Sequence, residues 1–270
     1  MVAGQGPQRP CVLVFAGADP SGGAGIQADI EAIGALGAHA LPVITALTVQ
    51  DNDRVFSVHP VAVELVRQQA QALIDKIDIA AVKIGIVGNR ANAEMIAQVI
   101  RQLRVRSPQL PVVFDPVLAS GHGDALSVDD AVRALDPLFA LATLIVPNLP
   151  EAAALCGETT EFEQQVRSLM TRGCLNVFLK GGHGEGQEVV NTLRGPDVAR
   201  TWRWPRLPGT FHGSGCTLAS AVAALLAQGR TMEQAVDAAQ TYAQQALASS
   251  FAIANGQRIP NRMTNIERHV

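Results

Sequence analysis

Short apolar runs alternate with segments of helical period along nearly the whole chain, and this alternation constrains the fold more than any other feature. Val12–Phe15, Ala81–Ile86, Pro111–Phe114, Leu144–Val146 and Leu175–Leu179 are strand-length. Between them, Ala24–Leu36, Val61–Ile77, Ala91–Leu103, Val128–Leu138, Glu151–Leu155 and Glu163–Thr171 read as helices. In Val61–Ile77, for example, Val63, Val66, Ala70 and Leu73 fall on one face. A βαβ series of this kind predicts an open, mostly parallel sheet covered by helices. Two antiparallel additions are expected. Val43–Val49 and Val55–His59 form a small flap, and Val189–Arg194 pairs with Val198–Trp204 around a Gly195-Pro196 turn. A last helix spans Met232–Ser250.

No internal repeat or linker-like shift in composition divides the chain, so a single α/β domain over residues 11–255 is expected. A loose leader, Met1–Pro10, precedes it and an irregular tail, residues 256–270, follows it. Hydrophobic residues make up 48% of the 270 positions, enough for a full core, and aromatics only 4%, which favours helices on a parallel sheet over a β sandwich. A net charge of −3 with no run of lysines argues against nucleic-acid binding. No apolar run reaches the roughly 18–20 residues that span a bilayer. Cys11, Cys156, Cys174 and Cys216 are widely scattered and show no metal-site spacing, as in a reduced, cytoplasmic protein.

In open parallel sheets, ligands bind beyond the carboxyl ends of the strands. Asp19, Asp115, Asn148 with Glu151, and Lys180 stand at those ends. The loop His212-Gly213-Ser214-Gly215-Cys216-Thr217 leads into an alanine-rich run. Small residues at a helix start expose unpaired N–H groups and form an anion hole. A cysteine in that first turn feels the positive end of the helix dipole, which favours thiolate. Loop and thiol together suggest phosphoryl transfer, although a tight turn with a small cysteine fits the motif alone equally well. There is no G-x-x-x-x-G-K-[ST], and the turn after the first strand, Gly17 to Gly25, is no G-x-G-x-x-G, so any phosphate chemistry uses another nucleotide fold.

Several segments in this order resemble the bacterial hydroxymethylpyrimidine/phosphomethylpyrimidine kinases of thiamine biosynthesis. They are Ala16-Gly17-Ala18-Asp19-Pro20-Ser21-Gly22-Gly23-Ala24-Gly25-Ile26-Gln27-Ala28-Asp29, Val43-Ile44-Thr45-Ala46-Leu47 with Gln50, and Val82-Lys83-Ile84-Gly85. Asp115-Pro116-Val117, Pro147-Asn148-Leu149-Pro150-Glu151-Ala152, Leu179-Lys180-Gly181-Gly182-His183 and the cysteine loop complete the set. The resemblance implies a ribokinase-like three-layer α/β/α fold with a small β flap, and ATP- and Mg²⁺-dependent phosphorylation of a hydroxymethylpyrimidine and then its monophosphate.

By the same resemblance, backbone N–H groups of Gly213, Ser214, Gly215 and Cys216 hold the transferring phosphoryl group. Cys216 stands where sugar kinases carry aspartate. It either takes the hydroxyl proton or positions the alcohol; both roles fit. Asn148 and Glu151 match the N-x-x-E motif, Glu151 and Asp115 organise Mg²⁺, and Lys180 and Thr217 with Asn148 serve the phosphates. Gln50 pairs with the aminopyrimidine, with Gly17 and Asp29 on the substrate side; a homodimer through residues 39–59 is a weaker implication. Three places depart from the pattern: Asp51-Asn52-Asp53 replaces Asn-Thr after Gln50, Leu118–Gly123 is shortened, and Thr210-Phe211 precedes the glycine loop. These leave two alternatives to the leading reading, a pyridoxal kinase of the same fold and a non-catalytic pyrimidine-binding relative.

Overall fold

The structure is a computed structural model and describes residues 8–119, 126 and 130–263. The first seven residues of the expected leader lie outside the described residues. Among the described residues, β1 (Cys11–Ala18), β2 (His39–Gln50), β3 (Val55–Pro60), β4 (Ile79–Ile84), β5 (Val112–Phe114), β6 (Leu144–Ile145), β7 (Asn176–Leu179), β8 (Glu188–Gly195) and β9 (Val198–Pro205) form one sheet in the order β3-β2-β1-β4-β5-β6-β7-β8-β9. The six strands from β2 to β7 are mutually parallel. The antiparallel β3 closes one edge, and the β8–β9 hairpin extends the other.

Both faces of the sheet are covered. In β1, Leu13 and Phe15 point to one face, where they meet α2 (Val63–Ile74), α3 (Arg90–Arg106) and α7 (Phe162–Thr171). Val12, Val14 and Ala16 point to the other, toward α1 (Gly25–Ala35), α8 (Ser214–Ala227) and α9 (Met232–Ala248). This period-two division of an all-apolar strand is what a parallel strand buried on both faces requires.

Two expectations change. The helix expected over Val128–Leu138 begins outside the described residues. Its described part is two single turns, α4 (Ala131–Ala134) and α5 (Asp136–Phe139). Pro137 has no N–H to continue a helix but suits the first turn of a new one. Nor is residue 255 a boundary, because the segment after it packs into the domain. Gln257, Ile259 and Arg262 are buried, and Ile259 exchanges backbone hydrogen bonds of 2.8 and 3.0 Å with Phe251.

Candidate active site

The strand order places the carboxyl ends of β1, β4, β5 and β7 around one cavity of about 550 Å³. Gly17, Gln50, Asp115, Asn148, Glu151, Lys180, Gly213, Ser214, Gly215 and Cys216 all lie on its wall.

The glycine loop ends at Gly213, the N-cap of α8, with φ +78°. A side chain there would be strained by the left-handed backbone and would also strike the carbonyl of Gly23. Ser214, Gly215 and Cys216 then form the first turn, whose amides have no intrahelical acceptor. From Thr217 to Leu225 every side chain of α8 is buried; the alanines let the helix lie close to the sheet and hold its N-terminus over the strand ends.

Lys180 Nζ and Asp115 Oδ1 are 2.7 Å apart in a nearly buried pair. Lys180 Nζ lies only 3.1 Å from where a Cβ on Gly215 would stand, so glycine there lets the pair touch the helix start. Burial opposes the charge on Lys180, but Asp115 and Glu151 outweigh it and raise the ammonium above its ordinary value. Asn148 and Glu151 form a reciprocal capping box on α6 (Leu149–Leu155). Glu151 N–H donates to Asn148 Oδ1 at 2.9 Å, and Asn148 N–H donates to Glu151 Oε2 at 2.8 Å. Burial pushes the Glu151 carboxyl up to about 7, with Lys180 pulling it down and Asp115 raising it further. Two carboxylates beside a phosphate-sized anion hole fit magnesium, which keeps most of its waters and takes one or two carboxylates plus substrate phosphates. Among the described residues no cluster of three or more metal-ligating side chains competes with that arrangement.

Asp29 does not reach the cavity. It is fully buried, with Lys83 Nζ 2.8 Å from Oδ1 and 3.0 Å from Oδ2, and with Ser220 Oγ donating to Oδ1 at 2.6 Å. The expected substrate contact is thus an interior ion pair beneath α8. Thr217 is corrected likewise. Its hydroxyl donates to the carbonyl of Gly213 at 2.8 Å and accepts from Arg262 Nε at 2.8 Å, inside the protein and off the cavity wall. The thiolate expected at Cys216 is not favoured either. Burial pushes the thiol up to about 11, although Lys83 pulls the other way.

Asp19, already placed at a strand end by the sequence, joins the site through distant partners, and Arg206 and Gln240, which the sequence reading missed, complete it. Asp19, 1% exposed, accepts from the amides of Ser21 at 2.8 Å and Ala24 at 2.7 Å and pairs with His212 Nε2 at 2.9 Å. Burial opposes its ionisation, but the bonds from His212 and Ser21 hold its carboxyl below the ordinary value. It ties the loop after β1 to the glycine loop. Arg206 donates to the carbonyls of Gly182 and Gly184 at 2.6 and 2.7 Å and fixes the turn after β7. Gln240 Oε1 accepts from Trp204 and Asn191 on the same wall. A periodicity argument has no access to such long-range partners. Among the described residues Gln50 makes one side-chain bond, from its Nε2 to Thr48 Oγ1 at 2.6 Å, which leaves a second N–H and the carbonyl for a ligand.

The phosphomethylpyrimidine kinase family profile matches residues 19–261. The hydroxymethylpyrimidine/phosphomethylpyrimidine kinase of Rhizobium meliloti (strain 1021) is 39% identical over 257 residues, covering 91% of this chain and 93% of that one. Among solved structures, the phosphomethylpyrimidine kinase of Clostridium difficile 630 is 32% identical with a TM-score of 0.74, covering 88% of this chain and 100% of that one. The ADP complex of Bacillus subtilis pyridoxal kinase is 28% identical with a TM-score of 0.81, covering 95% of this chain and 99% of that one. With a profile that spans the strand-end residues and the cysteine loop alike, this chain belongs to the phosphomethylpyrimidine kinase family.

Proposed function

We propose that this chain phosphorylates 4-amino-5-hydroxymethyl-2-methylpyrimidine and then its monophosphate with ATP, as a step in thiamine biosynthesis in the cytoplasm. One observation carries the reading: a single cavity is walled at once by an amide suited to an aminopyrimidine, by a helix N-terminus with a thiol in its first turn, and by a buried lysine–carboxylate pair. An aminopyrimidine offers an amino donor beside a ring-nitrogen acceptor, and the Gln50 carboxamide offers their complements.

In the reaction the alcohol oxygen attacks the γ-phosphorus, the new O–P bond forms as the bond to the β-phosphate oxygen breaks, and the hydroxyl proton passes to an oxygen of the transferred phosphoryl group and on to solvent. The first-turn amides of α8 meet the charge on the transferring group, where preorganised donors stabilise the transition state most. Lys180 neutralises the departing phosphates. Asp115 and Glu151 would hold Mg²⁺, which supplies further charge neutralisation when bound. A thiol with pKa about 11 remains protonated at neutral pH, so Cys216 positions the alcohol, and in a loose transition state the proton departs late.

Incubation with Mg-ATP and each alcohol, followed by product analysis, tests the reading. The expected products are the pyrimidine mono- and diphosphates. Consumption of pyridoxal alone would assign the protein to the activity named for the Bacillus subtilis neighbour, and ligand binding without ADP release would make it a non-catalytic binder. For Gln50→Ala, loss of one bidentate pair predicts a KM for the pyrimidine raised by about 10- to 100-fold, since such a pair is worth ~1–3 kcal/mol. The KM for ATP is expected to stay constant in that variant.

The flap supports a homodimer. Leu47 and Val49 on β2 and Phe56 on the edge strand β3 are exposed, and a contiguous exposed apolar surface of this kind is what a second copy would cover. Light scattering is expected to give twice the chain mass, and the monomer mass for Phe56→Asp.

A further inference from the structure

We propose that residues 255–262 form a strap that couples the flap turn to the phosphoryl-binding loop, and that Arg262 is a positioning residue for that loop. The inference rests on the reading of the glycine loop as the phosphoryl site.

The strap begins at the flap. Asn52, 4% exposed, donates from Nδ2 to the carbonyls of Asn255 at 3.1 Å and Gln257 at 3.0 Å. In return, Gln257 Nε2 donates to the carbonyl of Asp53 at 3.4 Å. In its middle the strap pairs with the approach to the glycine loop. Arg258 N–H donates to the carbonyl of Thr210, and His212 N–H donates to the carbonyl of Arg258, both at 2.9 Å.

It ends behind the helix start. The Arg262 side chain has no exposure, and its guanidinium reaches three places. Nε donates to Thr217 Oγ1 at 2.8 Å, Nη2 to the carbonyl of Gly23, and Nη1 meets Glu31 at 3.0 Å. Tyr242 holds the same residue by its backbone, donating to the Arg262 carbonyl at 2.8 Å. Thr217 Oγ1 in turn donates to the carbonyl of Gly213, so the guanidinium braces the N-cap of α8 through one hydroxyl.

The physical consequence has two parts. A guanidinium cannot deprotonate in a protein, so a full positive charge sits permanently behind an anion hole. Its one carboxylate partner among these contacts, Glu31, is 44% exposed, and solvent weakens that compensation. The strap also fixes the spacing between the turn beyond Gln50 and the loop at Cys216. Alignment of alcohol and phosphorus within a fraction of an ångström is what such second supports maintain.

The test uses the full chain with Asn52→Ala, Arg262→Gln and Arg262→Lys. Arg262→Gln is expected to lower kcat by about 10- to 100-fold with a smaller change in the KM for the pyrimidine, and Arg262→Lys to recover part of that loss. Amide hydrogen exchange without nucleotide gives a readout independent of turnover. Asn52→Ala is expected to speed exchange at residues 51–54 and also at the amides of 210–217, which Asn52 does not touch. Faster exchange confined to 51–54 would overturn the coupling, and unchanged kcat in Arg262→Gln would overturn the positioning role. Should Arg262→Gln not fold, Asn52→Ala and Arg262→Lys still decide the matter. Protection of the 213–216 amides by a non-hydrolysable ATP analogue, and not by AMP, in the unmutated protein separately tests the assignment of the loop, so the two readings fail independently.

Discussion

Lys180→Met is expected to reduce turnover by about 10³-fold, at least as large a loss as removal of the thiol. Lys180 stands 2.7 Å from Asp115 and is raised above its ordinary pKa by Asp115 and Glu151 together. Methionine keeps the length of the stem and removes the charge. Two buried carboxylates then face the phosphates without the ammonium that offsets them, and removal of one donor aimed at developing charge already costs about 10²–10³ in rate. Breaking a buried pair from one side also destabilises the fold, by about 3–5 kcal/mol. The measurement is therefore kcat and the KM for ATP at a temperature where circular dichroism shows the variant folded. A fall in kcat of less than tenfold would remove Lys180 from the phosphate site.

Cys216→Ala is expected to lower kcat by about 10²–10³-fold while the dissociation constant for ATP changes less than about threefold. The thiol occupies the third residue of α8, between the anion hole and the substrate space, and alanine keeps the helix intact. Its pH dependence separates the two roles open at the level of sequence. A thiolate base would make kcat rise about tenfold per pH unit until the thiol titrates near 11. A protonated thiol that positions the alcohol leaves kcat flat between pH 7 and 9. Burial raises this acid, so its neutral form is favoured in the folded protein and the flat profile is expected. The rate of alkylation of Cys216 by iodoacetamide, by contrast, is expected to climb steeply above pH 9, because only the thiolate reacts. A low-pKa inflection in that alkylation profile would reinstate the thiolate.

Much of the site was legible because the signals are local. Asn148 and Glu151 are three residues apart and form the capping box that such spacing encodes. Gly213, Ser214, Gly215 and Cys216 read as the start of a helix because glycine and serine precede an apolar run, and α8 starts at Ser214. Lys180 and Asp115 were placed by strand-end logic and Gln50 by the family resemblance, and all three line the cavity. Asp29 shows the limit of such reasoning. A carboxylate on an early helix near a glycine turn is sequence-neutral between solvent, ligand and interior. Its partners lie 54 and 191 residues away, and these distant contacts turn it inward.

Sequence alone determined the α/β class, the order of the strands along the chain, and the chemistry carried at their ends, because period, turn residues and helix starts are written within a few neighbours. Only the tertiary structure decided which charged groups face the cavity and which pair beneath it. It also decided whether the thiol at the helix start stays protonated, and whether the polar tail is loose or a strap. Asn52 and Phe211, two of the residues at which the chain departs from its family pattern, acquire partners only there: the carbonyls of Asn255 and Gln257 for one, a β-bridge to Arg258 for the other. Burial, desolvation and hydrogen-bond satisfaction depend on groups brought together from the whole chain, and no local pattern encodes them.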